Sequence, residues 1–185
     1  MNVNKRNPDC GQIYERIFYG ILPARVAYRN EEHGILIIQD PMPIARGHLV
    51  AATVACTDTV DRLPRSPYDK LQTAAKYAGL VLEVAFADAP YIASAIAGKQ
   101  IRHPHAHRAA ADDEADWAKR LGKALPRLEL SEAEKDQIHE RVTIGDAVEG
   151  LWQELDKALD AHGPVDPLTL ETMEFMAASL DGAEV

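Results

Sequence analysis

Gln100-Ile101-Arg102-His103-Pro104-His105-Ala106-His107 places three of the chain's seven histidines at alternate positions. In an extended strand successive side chains point to opposite faces. His103, His105 and His107 would then line one face, and Pro104, Ala106 and Arg108 the other, with neighbouring imidazoles about 6.5 Å apart. A helix would scatter the same rings by about 200° per step and make no row. The stretch is therefore read as a strand over 101–108, and its crowded polar face is where chemistry is expected. Three uses fit such a row. Two rings can chelate a metal with a ligand from elsewhere. One ring can attack a phosphorus centre while its neighbours orient it and serve the leaving group. Or the strand is simply polar toward solvent. Spacing alone leaves all three open.

Outward from this strand, the first 110 residues read as helix, three strands, helix, two strands. Gly11 to Tyr19 forms a short helix with Ile13, Ile17 and Phe18 on its apolar side, stopped at Gly20. Arg25 to Arg29 is a strand, turned at Glu31-Glu32-His33-Gly34 into Ile35 to Gln39, whose continuous apolar run predicts burial on both faces. A loop with prolines at 41 and 43 leads to a strand from His48 to Val54. Tyr68 to Phe86 is a helix with Leu71, Ala75, Ala78, Leu82 and Ala85 on one face. Tyr91 to Ile96 is a strand, and Gly98-Lys99 turns the chain into the histidine strand. A meander of antiparallel strands carrying packed helices is an α+β arrangement.

After Ala110 the pattern is helical: 112–125, a helix opened by the capping box Ser131-Glu132-Ala133-Glu134, one from Thr143 or Asp146 to Ala161, and one from Asp166. In the third, Val148, Leu151, Trp152, Leu155 and Leu159 form an apolar stripe that must pack on something. The chain thus divides into residues 1–110 and an acidic helical C-terminal extension, 111–185.

Of the net charge of −9, residues 1–110 contribute +3 and residues 111–185 contribute −12. The histidine half can accept an anionic substrate. The acidic half opposes nucleic-acid binding, and no basic cluster offsets it. No apolar run reaches the roughly 18 residues of a membrane helix. The start of the chain does not read as a signal peptide, and two cysteines make no disulfide framework. A cytoplasmic protein is expected, with no partner in a membrane or a nucleic-acid polymer.

The spacing resembles the His-φ-His-φ-His-φ-φ signature of the histidine triad (HIT) family, where φ is apolar. Gly20-Ile21-Leu22-Pro23-Ala24 is similar to that family's Gly-x-Ile/Leu-Pro-Ala turn. Asp40 followed by Pro43-x-Ala45-x-Gly47-His48 is similar to its Asp-x-x-Pro-x-Ala-x-Gly-His segment. Gly98 stands where the family has a Gly-Gln-Ser/Thr loop. The four matches run in register over about residues 10–110. The resemblance implies a HIT-like antiparallel sheet with packed helices. It also implies a nucleotidyl hydrolase or transferase acting at the α-phosphate of a nucleotide conjugate through a covalent nucleotidyl-histidine. His105 would be the nucleophile and His107 would serve the leaving group. His103 and His48 would fix the nucleophile's tautomer, and Asp40 would bind the ribose hydroxyls. A homodimer through a shared sheet is also implied, although the extra helices could instead cover that sheet edge and leave a monomer.

The chain departs from the family at Lys99 and Gln100, which replace Gln and Ser/Thr. Gln100 can donate through its amide, Lys99 can add charge, and Ser94 is the hydroxyl available upstream. Arg108 takes an apolar slot. Pro104 is similar to the His-Pro-His of the related uridylyltransferases, whose third position is Gln where this chain has His107. Cys10 keeps one cysteine of the Cys-x-x-Cys that some members use for zinc, and Cys56 falls near a later ligand. Two cysteines do not close a tetrahedral site, so no metal or other cofactor is expected. The altered loop motivates the alternative of a nucleotide-binding or regulatory protein with little catalysis. A metal enzyme using His103 and His105 is a further one. The extension's apolar stripes suggest that it covers the site and excludes water.

Overall fold

The run Ile35-Leu36-Ile37-Ile38-Gln39 is buried at every position and forms an interior strand of the sheet. The computed structural model describes residues 13–55, 57, 60–97, 103–113 and 127–164. In chain order these give helix α1 (Ile13–Phe18), strands β1 (Val26–Asn30), β2 (Ile35–Gln39) and β3 (Arg46–Thr53), and a 3-10 turn at Val60–Arg62. Helix α2 (Arg65–Ala85), strands β4 (Tyr91–Ala97) and β5 (His105–Ala111), and helices α3 (Glu132–Thr143) and α4 (Asp146–Asp160) follow. The α+β class with an antiparallel sheet is as expected. The helices anticipated over 112–125 and from Asp166 fall on, or almost wholly on, residues outside those described.

The five strands are antiparallel in the order β1-β2-β3-β5-β4. This corrects the simple meander. After α2 the chain lays β4 at the edge and returns as β5 between β3 and β4. The histidine strand therefore pairs on both sides. It also starts later than expected. Pro104 has no backbone N–H to give a ladder, and pairing begins at His105, opposite Ala52 and Ala97. His103 lies in the bend just before the strand.

Helix α2 starts three residues before the expected Tyr68 and includes Pro67 in its first turn. The first N–H groups of a helix have no intrahelical acceptor, so proline costs nothing there. In α1 the buried face is Tyr14, Ile17 and Phe18, with Glu15 also buried, while Ile13 is exposed.

Side chains of the sheet divide by the two-residue alternation. On one face Ile35, Ile37, Leu49, Ala51, Ala106 and Ala110 pack against α2, α3 and α4. On the other, Leu36, Ile38, Val50, Ala52 and Val54 pack against α1. The hydrophobic core on the α2 side is continuous across residue 110. Val142, Val148, Trp152, Leu155 and Leu159 are buried in it, and each such side chain contributes about 1.5–3 kcal/mol. Trp152 stacks on Tyr28 at 5.4 Å between centroids, and its indole N–H donates to Val142 O. The Tyr28 hydroxyl donates to Asp156 at 2.6 Å. Ser131 forms the expected capping box with Glu134. The described helices of the extension thus cover the face away from the histidines; the rest of the extension, on which the expectation that it covers the site also falls, lies outside the described residues.

Gly47 ends the loop before His48 with φ 59°. A Cβ built there would stand 2.5 Å from Phe86 Cε2 and 2.8 Å from Leu82 Cδ2. Gly47→Ala thus combines a left-handed backbone with overpacking and is expected to cost about 2–4 kcal/mol. Gly163, at φ 72° with nothing within 4 Å of such a Cβ, carries only the backbone penalty, about 1–2 kcal/mol for alanine. Urea unfolding of the two alanine variants checks the difference.

Candidate active site

Pairing of β5 with β3 brings His105 opposite Ala52 and His107 opposite Val50. His48, two residues before Val50 on β3, joins them on the α1 face. The His105 and His107 rings meet edge-on at 4.8 Å between centroids, and those of His48 and His107 lie 5.0 Å apart. Tyr14 of α1 covers the other end, 5.2 Å from the His103 ring and 5.4 Å from that of His105. The structure thus gathers His48, His103, His105 and His107 in one row, the first three buried and His107 half-buried.

The hydrogen bonds assign protons within the row. His105 Nδ1 lies 2.6 Å from His103 O. A carbonyl only accepts, so His105 carries its proton on Nδ1 and leaves a lone pair on Nε2. The family resemblance implied that His103 and His48 fix the tautomer of His105; the contact seen from His103 is made by its backbone carbonyl. The ring of His103 donates from Nε2 to Thr53 O at 2.5 Å. Its Nδ1 faces Glu15 Oε1 at 3.4 Å. His48 Nε2 and His107 Nδ1 share one proton at 2.9 Å, and Asp40 Oδ2 stands 3.3 Å from His48 Nδ1. Asp40 Oδ1 accepts from the N–H of Met42, which holds the loop after β2 in a turn.

Burial dominates the electrostatics. It lowers the pKa of His103 and of His107 to about 4. His105 is lowered and His48 is lowered well below the ordinary imidazole range, each chiefly by burial. All four rings are therefore neutral near pH 7. Burial raises the carboxyl of Glu15 to about 7 and moves Asp40 upward. A protonated Glu15 can donate to the lone pair on His103 Nδ1, which completes a neutral pair. The positive charge of Arg127 acts on Asp40, His48 and His107.

Ser94 is not brought to the site. It pairs with Arg108, so alternation sends both to the α2 face, opposite His105 and His107. Lys99, Gln100, Cys10 and Cys56 lie outside the described residues. Among the described residues, one ligating atom each from Asp40, His48 and His107 fall within 4.8 Å of one another. The metal set anticipated from the sequence was instead His103 and His105, whose rings each donate to a backbone carbonyl. Sequence reading missed Tyr14, Glu15 and Arg127. For the first two the available signal was helical spacing, because Tyr14 lies three and four residues before Ile17 and Phe18 on the face that meets the sheet.

The fold is that of the histidine triad proteins. A histidine triad nucleotide-binding protein from Sulfolobus tokodaii strain 7, described as hypothetical, superimposes with a TM-score of 0.59. It is 18% identical over 75% of this chain and 92% of its own. A zinc-bound histidine triad family protein from Mycobacterium smegmatis gives 0.56 at 17% identity, over 79% and 96%. A Hit-like protein involved in cell-cycle regulation from Bartonella henselae, with an unknown ligand, gives 0.55 at 14% identity, over 71% and 95%. No protein-family model matches the sequence, and no curated protein matches it.

These pKa displacements set a pH dependence of stability. Between pH 6.5 and about 4 the unfolded chain protonates His103 and His107 while the folded chain does not, so stability falls on acidification. Glu15 acts oppositely. Its pKa rises on folding from 4.5 to about 7, so its contribution is complete below 4.5 and is lost as pH rises through 7. Two histidines outweigh one carboxyl, and the net expectation is lower stability at pH 4.5 than at pH 6.5. Glu15→Gln removes the opposing contribution and should steepen that fall, as read by urea midpoints across the window.

Proposed function

We propose that this protein is a nucleotidyl hydrolase or transferase that attacks the α-phosphorus of a nucleotide conjugate with Nε2 of His105. The observation that carries this reading is the hydrogen bond from His105 Nδ1 to His103 O. It leaves the lone pair on Nε2, and burial keeps the ring neutral at pH 7. A neutral imidazole with its lone pair free is a good nucleophile. The structural similarity to a nucleotide-binding histidine triad protein supports the substrate class.

In the first step the Nε2 lone pair forms a P–N bond, and the bond from phosphorus to the leaving group breaks with its electrons. The ring becomes a nucleotidyl-imidazolium still carrying its Nδ1 proton, and His103 O stabilises the positive charge that develops there. His107 is placed beside His105 to exchange a proton with the leaving group, and its bond to His48 gives a path for that proton. In the second step water or another acceptor attacks phosphorus, the P–N bond breaks, and the lone pair returns to Nε2. Asp40 binds the ribose hydroxyls, since a carboxylate accepts two donors.

Two variants test the reading. Brief incubation of the wild type with a labelled nucleotide conjugate should leave an acid-labile nucleotide on the protein. His105→Ala should leave none and lose turnover by on the order of 10³-fold or more. Undiminished turnover by His105→Ala overturns the mechanism. Asp40→Asn should lower kcat/KM for the same conjugate by about 10- to 100-fold, the worth of a hydrogen bond to a charged group.

A further inference from the structure

Four neutral imidazoles and the Asp40 carboxylate form the described wall of the site. None of them offers a positive charge, yet a ligand presenting phosphorus to His105 arrives negatively charged. Placing an anion against a half-buried carboxylate without a counter-charge costs several kcal/mol. Several arginines near the sheet are committed elsewhere. Arg46 bonds Asp88 and Asp112, Arg25 bonds Glu132 and Asp136, and Arg108 lies on the opposite face. Arg127 differs from them. It is exposed, and among the described residues no carboxylate lies within salt-bridge distance of it.

Its position is tethered. The N–H of the next residue, Leu128, donates to Pro43 O at 2.8 Å. Pro43 belongs to the loop that joins Asp40 to His48, the two polar groups at one end of the site. The same loop packs Ile44 and Ala45 against Ala109 and Ala111 of β5, so the segment is fastened to the histidine strand through one further layer. The extension of the chain thus sends its helices to the far face and one cation to the near face.

We infer that Arg127 binds a second anionic group of the ligand, beyond the phosphorus that faces His105, at the end of the row where Asp40, His48 and His107 meet. This rests on the reading of the site as one for nucleotide conjugates, and it narrows them to conjugates that carry a second anionic group, such as a further phosphate. The charge of Arg127 acts on His107, His48 and Asp40, which sets it at the His107 end of the row. A guanidinium presents two parallel N–H donors to a phosphate, which suits this task better than the point charge of lysine. A chain ending at the histidine strand would lack this cation.

The test is a binding measurement on the full-length protein that needs no turnover. Adenosine and guanosine, and their 5′-diphosphates, are titrated into wild type, Arg127→Gln and Arg127→Lys by calorimetry. Arg127→Gln is expected to weaken the nucleoside diphosphate about 10-fold or more and the nucleoside less than about twofold, with Arg127→Lys in between. Raising salt should weaken diphosphate binding more in the wild type than in Arg127→Gln. Equal weakening of nucleoside and diphosphate, or no weakening of either, overturns the inference. Its failure is separable from failure of the nucleotidyl-transfer reading. Loss of covalent labelling with Arg127-dependent diphosphate binding intact would remove the mechanism and keep the subsite. Labelling at His105 with diphosphate binding indifferent to Arg127 would do the reverse.

Discussion

The antiparallel pairing of β3 with β5 is the constraint from which the site follows. Its register sets His105 against Ala52 and His107 against Val50. Because side chains alternate, that one register puts His48, His105 and His107 on the same face and sends Ala106 and Arg108 to the other. A slip of one residue would exchange the faces. It would place imidazoles in the apolar layer under α2 and alanine where the nucleophile stands. The register is held by the apolar residues of both faces together: Leu49 and Ala51 toward α2, Val50 and Ala52 toward α1.

Burial on this face sets the chemistry as much as position does. Isolated histidines would be partly protonated near neutral pH. Packed under Tyr14 and beside one another, these rings are held neutral, and backbone carbonyls then decide which nitrogen bears the single proton. Two carbonyls do so, His103 O for His105 and Thr53 O for His103. Pro104 contributes by delaying the strand. The backbone of His103 is thereby outside the ladder, with its carbonyl free to turn toward the ring of His105. The buried pair of Glu15 and His103 fits the same logic, with the carboxyl raised to about 7 and the ring lowered to about 4, so that both are mostly uncharged between those values.

The second half of the molecule divides its work between the two faces. Helix α3 buries Ile138 and Val142, and α4 buries Trp152, Leu155 and Leu159, in the same core as α2, so they support the sheet from behind. The extended residues before Ser131 pass instead by the loop from Asp40 to His48. A negatively charged extension looks ill suited to an anionic ligand. On α3, however, Glu132 and Asp136 pair with Arg25, Glu132 also with Lys135, and Glu134 closes the helix's own cap, away from the histidine row.

Much of this was legible in the sequence because it depends on local period and spacing. Alternate histidines, the apolar run of β2 and the stripe on α4 each follow from how one element presents its own side chains, while the Asp40-to-His48 segment was legible only through its resemblance to the histidine triad family. The sequence by itself therefore determined the fold class, the strand carrying the histidines and the identity of the four rings. Only the tertiary structure decided which strands neighbour one another, and hence that β5 lies inside β4. It also decided which face Ser94 meets, that a backbone carbonyl orients His105, and that Tyr14, Glu15 and Arg127 reach the site. The reason is physical. Alternation fixes two faces within a strand but not which face is covered by what, and a hydrogen bond between residues fifty apart has no period to read. Those choices are made when the layers pack, and packing assembles the site.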